Sequence, residues 1–104
     1  MALVLYTQPR CAYCEVMKTF LKEESHDYQI VDISKDKSWM DFIKNKGHRT
    51  VPQLYWNSTW VNKDTNTANL SPTSLSNLIT EAIDNERAAG FVAWKTLSKH
   101  LYLM

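Results

Sequence analysis

Glycine is nearly missing from this chain: Gly47 and Gly90 are the only two among 104 residues, where an average protein carries about 7 %. Any turn that needs left-handed backbone must therefore be made by another residue type. Cysteine is limited to Cys11 and Cys14, and in a chain of this composition two lone cysteines point to catalysis or metal binding before a structural disulfide. No charge of one sign dominates. The net charge is +1 and no basic block stands out, so nothing favours a nucleic-acid partner or an anionic membrane surface. No apolar run approaches the length needed to span a bilayer. The opening MALVLYTQPR lacks a basic leader, a long apolar stretch and a small-residue cleavage site. These absences lead to the expectation of a cytoplasmic protein. There is also no repeat, low-complexity tract or linker, so one domain with an adequate core is expected.

What is present alternates between strand and helix signals. ALVLY (Ala2 to Tyr6) reads as a buried strand ended by Thr7, Gln8 and Pro9. From Ala12 to about Glu24 the apolar residues Tyr13, Val16, Met17, Phe20 and Leu21 recur at helical spacing. YQIVDI (Tyr28 to Ile33) is a second strand, and the crossover rule makes the unit a parallel βαβ. Ser34 is expected to cap a helix holding Trp39, Phe42 and Ile43, which Gly47 stops. Pro52 to Trp56 and Thr59 to Asn62 flank Asn57-Ser58 as a tight hairpin. Ser71 before Pro72 starts a helix with Leu75, Leu78, Ile79, Ala82 and Ile83 on one stripe. Beyond Gly90, the spacing of Phe91, Trp94, Leu97 and Leu101 predicts a further helical segment. The expected fold class is α/β: a four-stranded mixed sheet in the order β-α-β-α-β-β-α, with helices on both faces and a C-terminal helical extension. The expected division is a domain over residues 1–88 and an extension over 89–104 packed on or beside it.

The stretch QPRCAYCEVMKTF carries the chemistry. Cys-x-x-Cys has three physical readings. A zinc site needs four ligands, and His26, His48 and His100 are scattered without a paired spacing. A permanent staple across so small a loop removes little unfolded-state entropy. The placement instead fits a redox couple. Cys11 falls at a strand-to-helix junction, where unpaired N–H groups and the positive end of the helix dipole favour thiolate over thiol. Cys14, one turn further in, suits the resolving thiol. Arg10 is either an added positive charge beside Cys11 or a solvated surface residue.

A second stretch, GHRTVPQLYW (Gly47 to Trp56), places Pro52 at the start of a strand. A cis bond there would turn the backbone of Val51 outward to pair with an extended peptide. With both stretches together the chain resembles the glutaredoxin family of thioredoxin-like oxidoreductases, over roughly residues 2 to 62. LYTQPRCAYC is similar to that family's first strand and active-site loop, with Ala12 in place of the usual proline, and RTVPQLYW to its Thr-Val-Pro turn.

The resemblance implies roles position by position. Cys11 resembles the nucleophile and Cys14 the resolving cysteine. Tyr13 resembles the tyrosine along the glutathione groove, Thr50 and Val51 the pair flanking it, and Pro52 the cis proline facing the sulfurs. Gln8 stands where the family often has a lysine for a glutathione carboxylate, and Arg49 is placed to supply the missing charge. After the fourth strand the family usually has Gly-Gly and an aspartate-containing turn. Here the stretch reads WVNKDTNTANLSP, so Asn62 is expected to make a left-handed turn, with Asp64 and Thr65 offering a carboxylate and a hydroxyl.

The implied activity is thiol–disulfide exchange on protein disulfides or glutathione mixed disulfides, with no tightly bound cofactor, no metal, and glutathione as co-substrate. A rival keeps the chemistry but takes electrons directly from a thioredoxin reductase, with ribonucleotide reductase as a recipient that family resemblance brings to mind. A third class is an iron–sulfur or metal carrier, and a fourth is an interaction module built on Trp39, Trp56 and Trp60.

Overall fold

The computed structural model describes residues 3–63 and 67–102, with side chains as far as Arg87. Strand β1 (Leu3–Thr7) leads into helix α1 (Ala12–Glu23), strand β2 (Gln29–Asp32), helix α2 (Lys37–Asn45), strands β3 (Gln53–Trp56) and β4 (Thr59–Trp60), a short 3-10 turn at Thr67–Asn69, and helix α3 (Pro72–Tyr102). The sheet order is β2-β1-β3-β4. β1 pairs in parallel with β2, Leu5 opposite Ile30, and antiparallel with β3, Leu5 opposite Leu54. β4 closes the hairpin with Tyr55 opposite Trp60. This is the expected α/β architecture with a mixed sheet.

Side chains alternate across a strand, and β1 uses the alternation to build two cores. Leu3 and Leu5 face α1 and α3, joining Met17, Leu21, Leu54, Leu75, Ile79 and Ala82. Val4 and Tyr6 face α2, joining Ile33, Ile43, Tyr55 and Phe42. The second core is aromatic: Tyr6 lies 5.3 Å from Phe42 and 5.8 Å edge-on from Tyr55, measured between ring centroids. Such tilted pairs are favoured by the ring quadrupoles.

Three local expectations change. Ser34 is not the cap of α2. Asp36 holds that place, accepting from the Ser38 N–H at 2.9 Å, while the Ser34 N–H and hydroxyl both donate to Asp32 at 2.9 and 2.6 Å. These bonds lower the pKa of each aspartate, the serine side-chain bond contributing most and the backbone bond next. Gly47 does end the helix region, at φ 86°, as a residue free of Cβ allows. Second, Tyr13 does not share the buried stripe of α1 and is 50 % exposed. Third, the helix begun at Pro72 runs on unbroken to Tyr102, so the expected extension continues α3. How residues 89–104 pack lies outside the described side chains. Ser71 caps α3 as expected, its Oγ accepting from the Ser74 N–H at 3.1 Å. Trp39, Trp56 and Trp60 form no common patch: Trp39 is 40 % exposed on α2, Trp56 packs on the α1–α3 core, and Trp60 on the α2 core.

Candidate active site

The site is assembled where β1 ends. Thr7 is the last residue of the central strand, and the chain turns through Gln8, Pro9 and Arg10, the last at φ 62°. Cys11 then occupies the N-cap of α1 with extended backbone, φ −107° and ψ 104°. Its Sγ accepts the Cys14 N–H at 3.1 Å, one of the donors a helix start leaves without a partner. Cys11 and Cys14 form a disulfide, with Cα atoms 5.2 Å apart. Cys11 is half-buried, whereas Cys14 is 1 % exposed. An N–H bond to sulfur and the helix dipole both act on Cys11 Sγ, so after reduction this sulfur is the one favoured as thiolate.

The Val51–Pro52 peptide bond is cis, and the Val51 carbonyl oxygen lies 3.7 Å from Cys11 Sγ. Beside it runs a cleft of about 600 Å³, lined by residues that include Tyr13, Arg49, Thr50, Val51, Pro52 and Trp60. Tyr13, Arg49, Thr50, Val51 and Pro52 thus share one cleft, which reaches the cysteine pair through the Val51 carbonyl. Gln8 does not line this cleft. It borders a smaller one of about 120 Å³ on the other side of the Arg49–Val51 segment, with Met40 and Lys44. Arg10 is exposed and lines neither cleft. Asp64 and Thr65 lie outside the described residues.

Beneath the cleft is a buried polar layer that sequence reasoning missed. Gln53 and Asn62 are 6 % and 4 % exposed. The Asn62 side chain accepts the Leu54 N–H at 3.0 Å and donates to the Pro52 carbonyl at 3.3 Å. Its amide extends the ladder past the last main-chain bond of the hairpin, which runs from the Val61 N–H to the Leu54 carbonyl at 2.9 Å. Asn62 is not at positive φ, unlike Gly47, Arg10, Ser25 and Asn57 among the described residues, so the expected left-handed turn is not formed at this position. His48, 7 % exposed, shares a 2.6 Å hydrogen bond with the Tyr55 hydroxyl and stands 4.5 Å from the Trp60 ring. Burial, with a smaller contribution from Lys46, holds its pKa below the ordinary 6.5. Burial likewise raises the Tyr55 pKa, with Tyr6 adding to it. The period of two in β3 was the available signal. Gln53 and Tyr55 share a face, and Trp60 from β4 and Asn62 just beyond it come to that face.

Among the described residues no group of three histidine, cysteine or acidic side chains gathers as a metal site, and no helix is long and apolar enough to cross a membrane.

A parallel-antiparallel sheet of this order, with a Cys-x-x-Cys pair capping α1 opposite a cis-proline turn, defines a thioredoxin-like dithiol protein. The glutaredoxin family model matches residues 3–61, more than half of the chain, and the chain belongs to that family. It is similar to an N-acetyl-S-hydroxy-L-cysteine reductase of Bacillus subtilis (strain 168), 33 % identical over 51 residues, 48 % of this chain and 55 % of that protein. The match thus spans little more than half of that relative's length. Among solved structures, the glutaredoxin-like NrdH-redoxin from Escherichia coli, described as having a thioredoxin-like activity profile, superposes with a TM-score of 0.61. It is 15 % identical, over 75 % of this chain and 95 % of that one. A buckwheat glutaredoxin–glutathione complex superposes with a TM-score of 0.57 at 18 % identity, covering 77 % of each chain. At these identities the likeness establishes the fold.

Proposed function

We propose that this protein is a thiol–disulfide oxidoreductase that reduces protein disulfides or glutathione mixed disulfides, with Cys11 as nucleophile, Cys14 as resolving thiol and glutathione returning the electrons. The observation that carries the reading is the pairing of a half-buried N-cap sulfur with a cleft lined by Tyr13, Thr50 and Val51. Cys11 thiolate attacks one sulfur of the substrate disulfide, forming a mixed disulfide and expelling the other half as a thiolate, which takes up a proton. Cys14, deprotonated, then attacks Cys11 Sγ and releases the second thiol. Two electrons pass to the substrate, and the protein is left with the Cys11–Cys14 disulfide. No bound cofactor or metal enters these steps, and a reducing compartment such as the cytoplasm suits them.

In this reading Val51 offers main-chain bonds to an extended substrate, Tyr13 and Thr50 wall the cleft, and Arg49 meets a carboxylate. A second reading takes electrons directly from a thioredoxin reductase and passes them to a protein acceptor such as ribonucleotide reductase. Two observations favour it: Gln8 lies outside the cleft, and Asn62 is not at positive φ, its side-chain amide being engaged by Leu54 and Pro52.

The deciding experiment supplies the oxidised protein with NADPH through two routes, glutathione reductase with glutathione or a thioredoxin reductase, and follows NADPH consumption with a small mixed disulfide as acceptor. Turnover with glutathione alone is the expected result. Turnover with thioredoxin reductase alone would move the protein to the second reading, and turnover with neither would remove the oxidoreductase assignment.

A further inference from the structure

The carbonyls on either side of Val51 are both held from within. Gln53 Nε2 donates to the Thr50 carbonyl at 3.1 Å, and Asn62 Nδ2 donates to the Pro52 carbonyl at 3.3 Å. One group ties these two amides together: the Trp60 indole N–H, which is shared between Gln53 Oε1 at 2.8 Å and Asn62 Oδ1 at 2.9 Å. Asn62 Oδ1 also receives the Leu54 N–H at 3.0 Å. Every polar atom of two buried amides is thereby engaged, and a buried amide that swung away would leave several partners unsatisfied at once. The bonds of this network run to Thr50, Pro52 and Leu54 and include neither main-chain group of Val51, whose carbonyl stands 3.7 Å from Cys11 Sγ.

We propose that Gln53, Trp60 and Asn62 are positioning residues that lock the main chain on both sides of Val51, presenting its N–H and C=O as a fixed docking edge for the peptide backbone around the reacting cysteine of the substrate. The inference deepens the oxidoreductase reading above and rests on it. Its consequence is selectivity for a chemical class. A disulfide carried on a peptide main chain gains from the locked edge through two backbone hydrogen bonds, whereas a disulfide without peptide groups gains nothing from it. Preorganisation of this kind works by lowering the ordering cost of binding, so loosening the clamp weakens recognition of the first class selectively.

The test measures second-order rate constants of the reduced protein, by stopped flow, with two uncharged disulfides. One is the symmetrical disulfide of N-acetyl-Ala-Cys-Ala-amide and the other is 2-hydroxyethyl disulfide, which has no peptide group. The quantity read is the ratio of the two constants. Wild type is expected to favour the peptide disulfide. Trp60→Phe, which keeps a ring against His48 but removes the bridging N–H, and Gln53→Met are each expected to lower the ratio about five- to tenfold, the size of one hydrogen bond. Gln53→Glu retains an acceptor for the indole and withdraws the donor from Thr50, so it is expected to fall with Gln53→Met. If both constants drop together and the ratio holds, the network is merely structural and the proposal fails. A wild type that shows no preference for the peptide disulfide overturns it as well. A wild type inert to both disulfides would instead bring down the oxidoreductase reading itself.

Discussion

Cys11 and Cys14 have the same side chain and opposite surroundings. Cys11 accepts a main-chain N–H at the helix start, is half-buried and lies 3.7 Å from the Val51 carbonyl, while Cys14 is sealed at 1 % exposure. Only the first can be reached by a substrate sulfur. Cys11→Ser is therefore expected to abolish all exchange. Cys14→Ser is expected to keep turnover of glutathione mixed disulfides, because a second glutathione can resolve the intermediate that Cys14 otherwise resolves. Coupled NADPH oxidation checks both variants, and loss of glutathione turnover in Cys14→Ser would reverse the two roles. His48 gives a second residue-level expectation. Its folded pKa is depressed by burial, so folding favours the neutral ring and the unfolded chain binds the proton more readily. The stability this contributes is full above about pH 6.5 and is lost as pH falls from there through the lower folded value. The urea midpoint is thus expected to decline between pH 7.5 and 5, and to decline less in His48→Phe. Asp32 and Asp36 do not confuse that window, since their stabilisation is lost only as pH falls below the ordinary carboxylate range.

At the scale of elements, the beginning of α1 is built to accept a proline it does not have. Ala12 is the first helical residue, where a missing N–H costs no intrahelical bond. Cys11 before it is already extended, at φ −107° and ψ 104°, the conformation that a following proline requires. Ala12→Pro is expected to raise the stability of the reduced protein by about 0.4–1 kcal/mol through the unfolded chain's lost freedom, read from urea unfolding at constant slope. A lower midpoint would mean that the loop cannot hold the proline without strain. Elements were legible in the sequence where a periodic stripe coincided with a stop or start signal, as at Ser71-Pro72 and at Gly47. The start of α2 was not, because Ser34 and Asp36 are both competent caps two residues apart. Sequence alone does not say that Asp32 already engages the hydroxyl of Ser34. The same limit hid the role of Asn62. Its tolerance of left-handed backbone can be read from the residue type, but the use of its amide as a surrogate strand depends on β4 ending after two residues.

Across the whole molecule, the cysteine loop and the Val51–Pro52 turn are distant in sequence and meet because β1 and β3 are neighbours in the sheet. Both motifs could be recognised separately in the sequence. Their facing geometry needed the register, and the buried layer beneath them needed the pairing of Tyr55 with Trp60. Position of the site therefore depends on β1 being held from both faces, and Leu5 is where that dependence is most concentrated. It is fully buried, pairs with Ile30 on one side and Leu54 on the other, and packs among the side chains of α1 and α3. Leu5→Ala is expected to cost about 2–5 kcal/mol, the transfer of the lost methyl and methylene groups plus the cavity they leave. Ile30, its partner on the edge strand, is half exposed at 50 %, and Ile30→Ala is expected to cost well under half of that. Urea unfolding of the two variants measures the difference directly. Comparable losses would mean that β2 is covered in solution by something beyond this chain, whereas the expected asymmetry would place the anchor of the active site in the core shared by β1, α1 and α3.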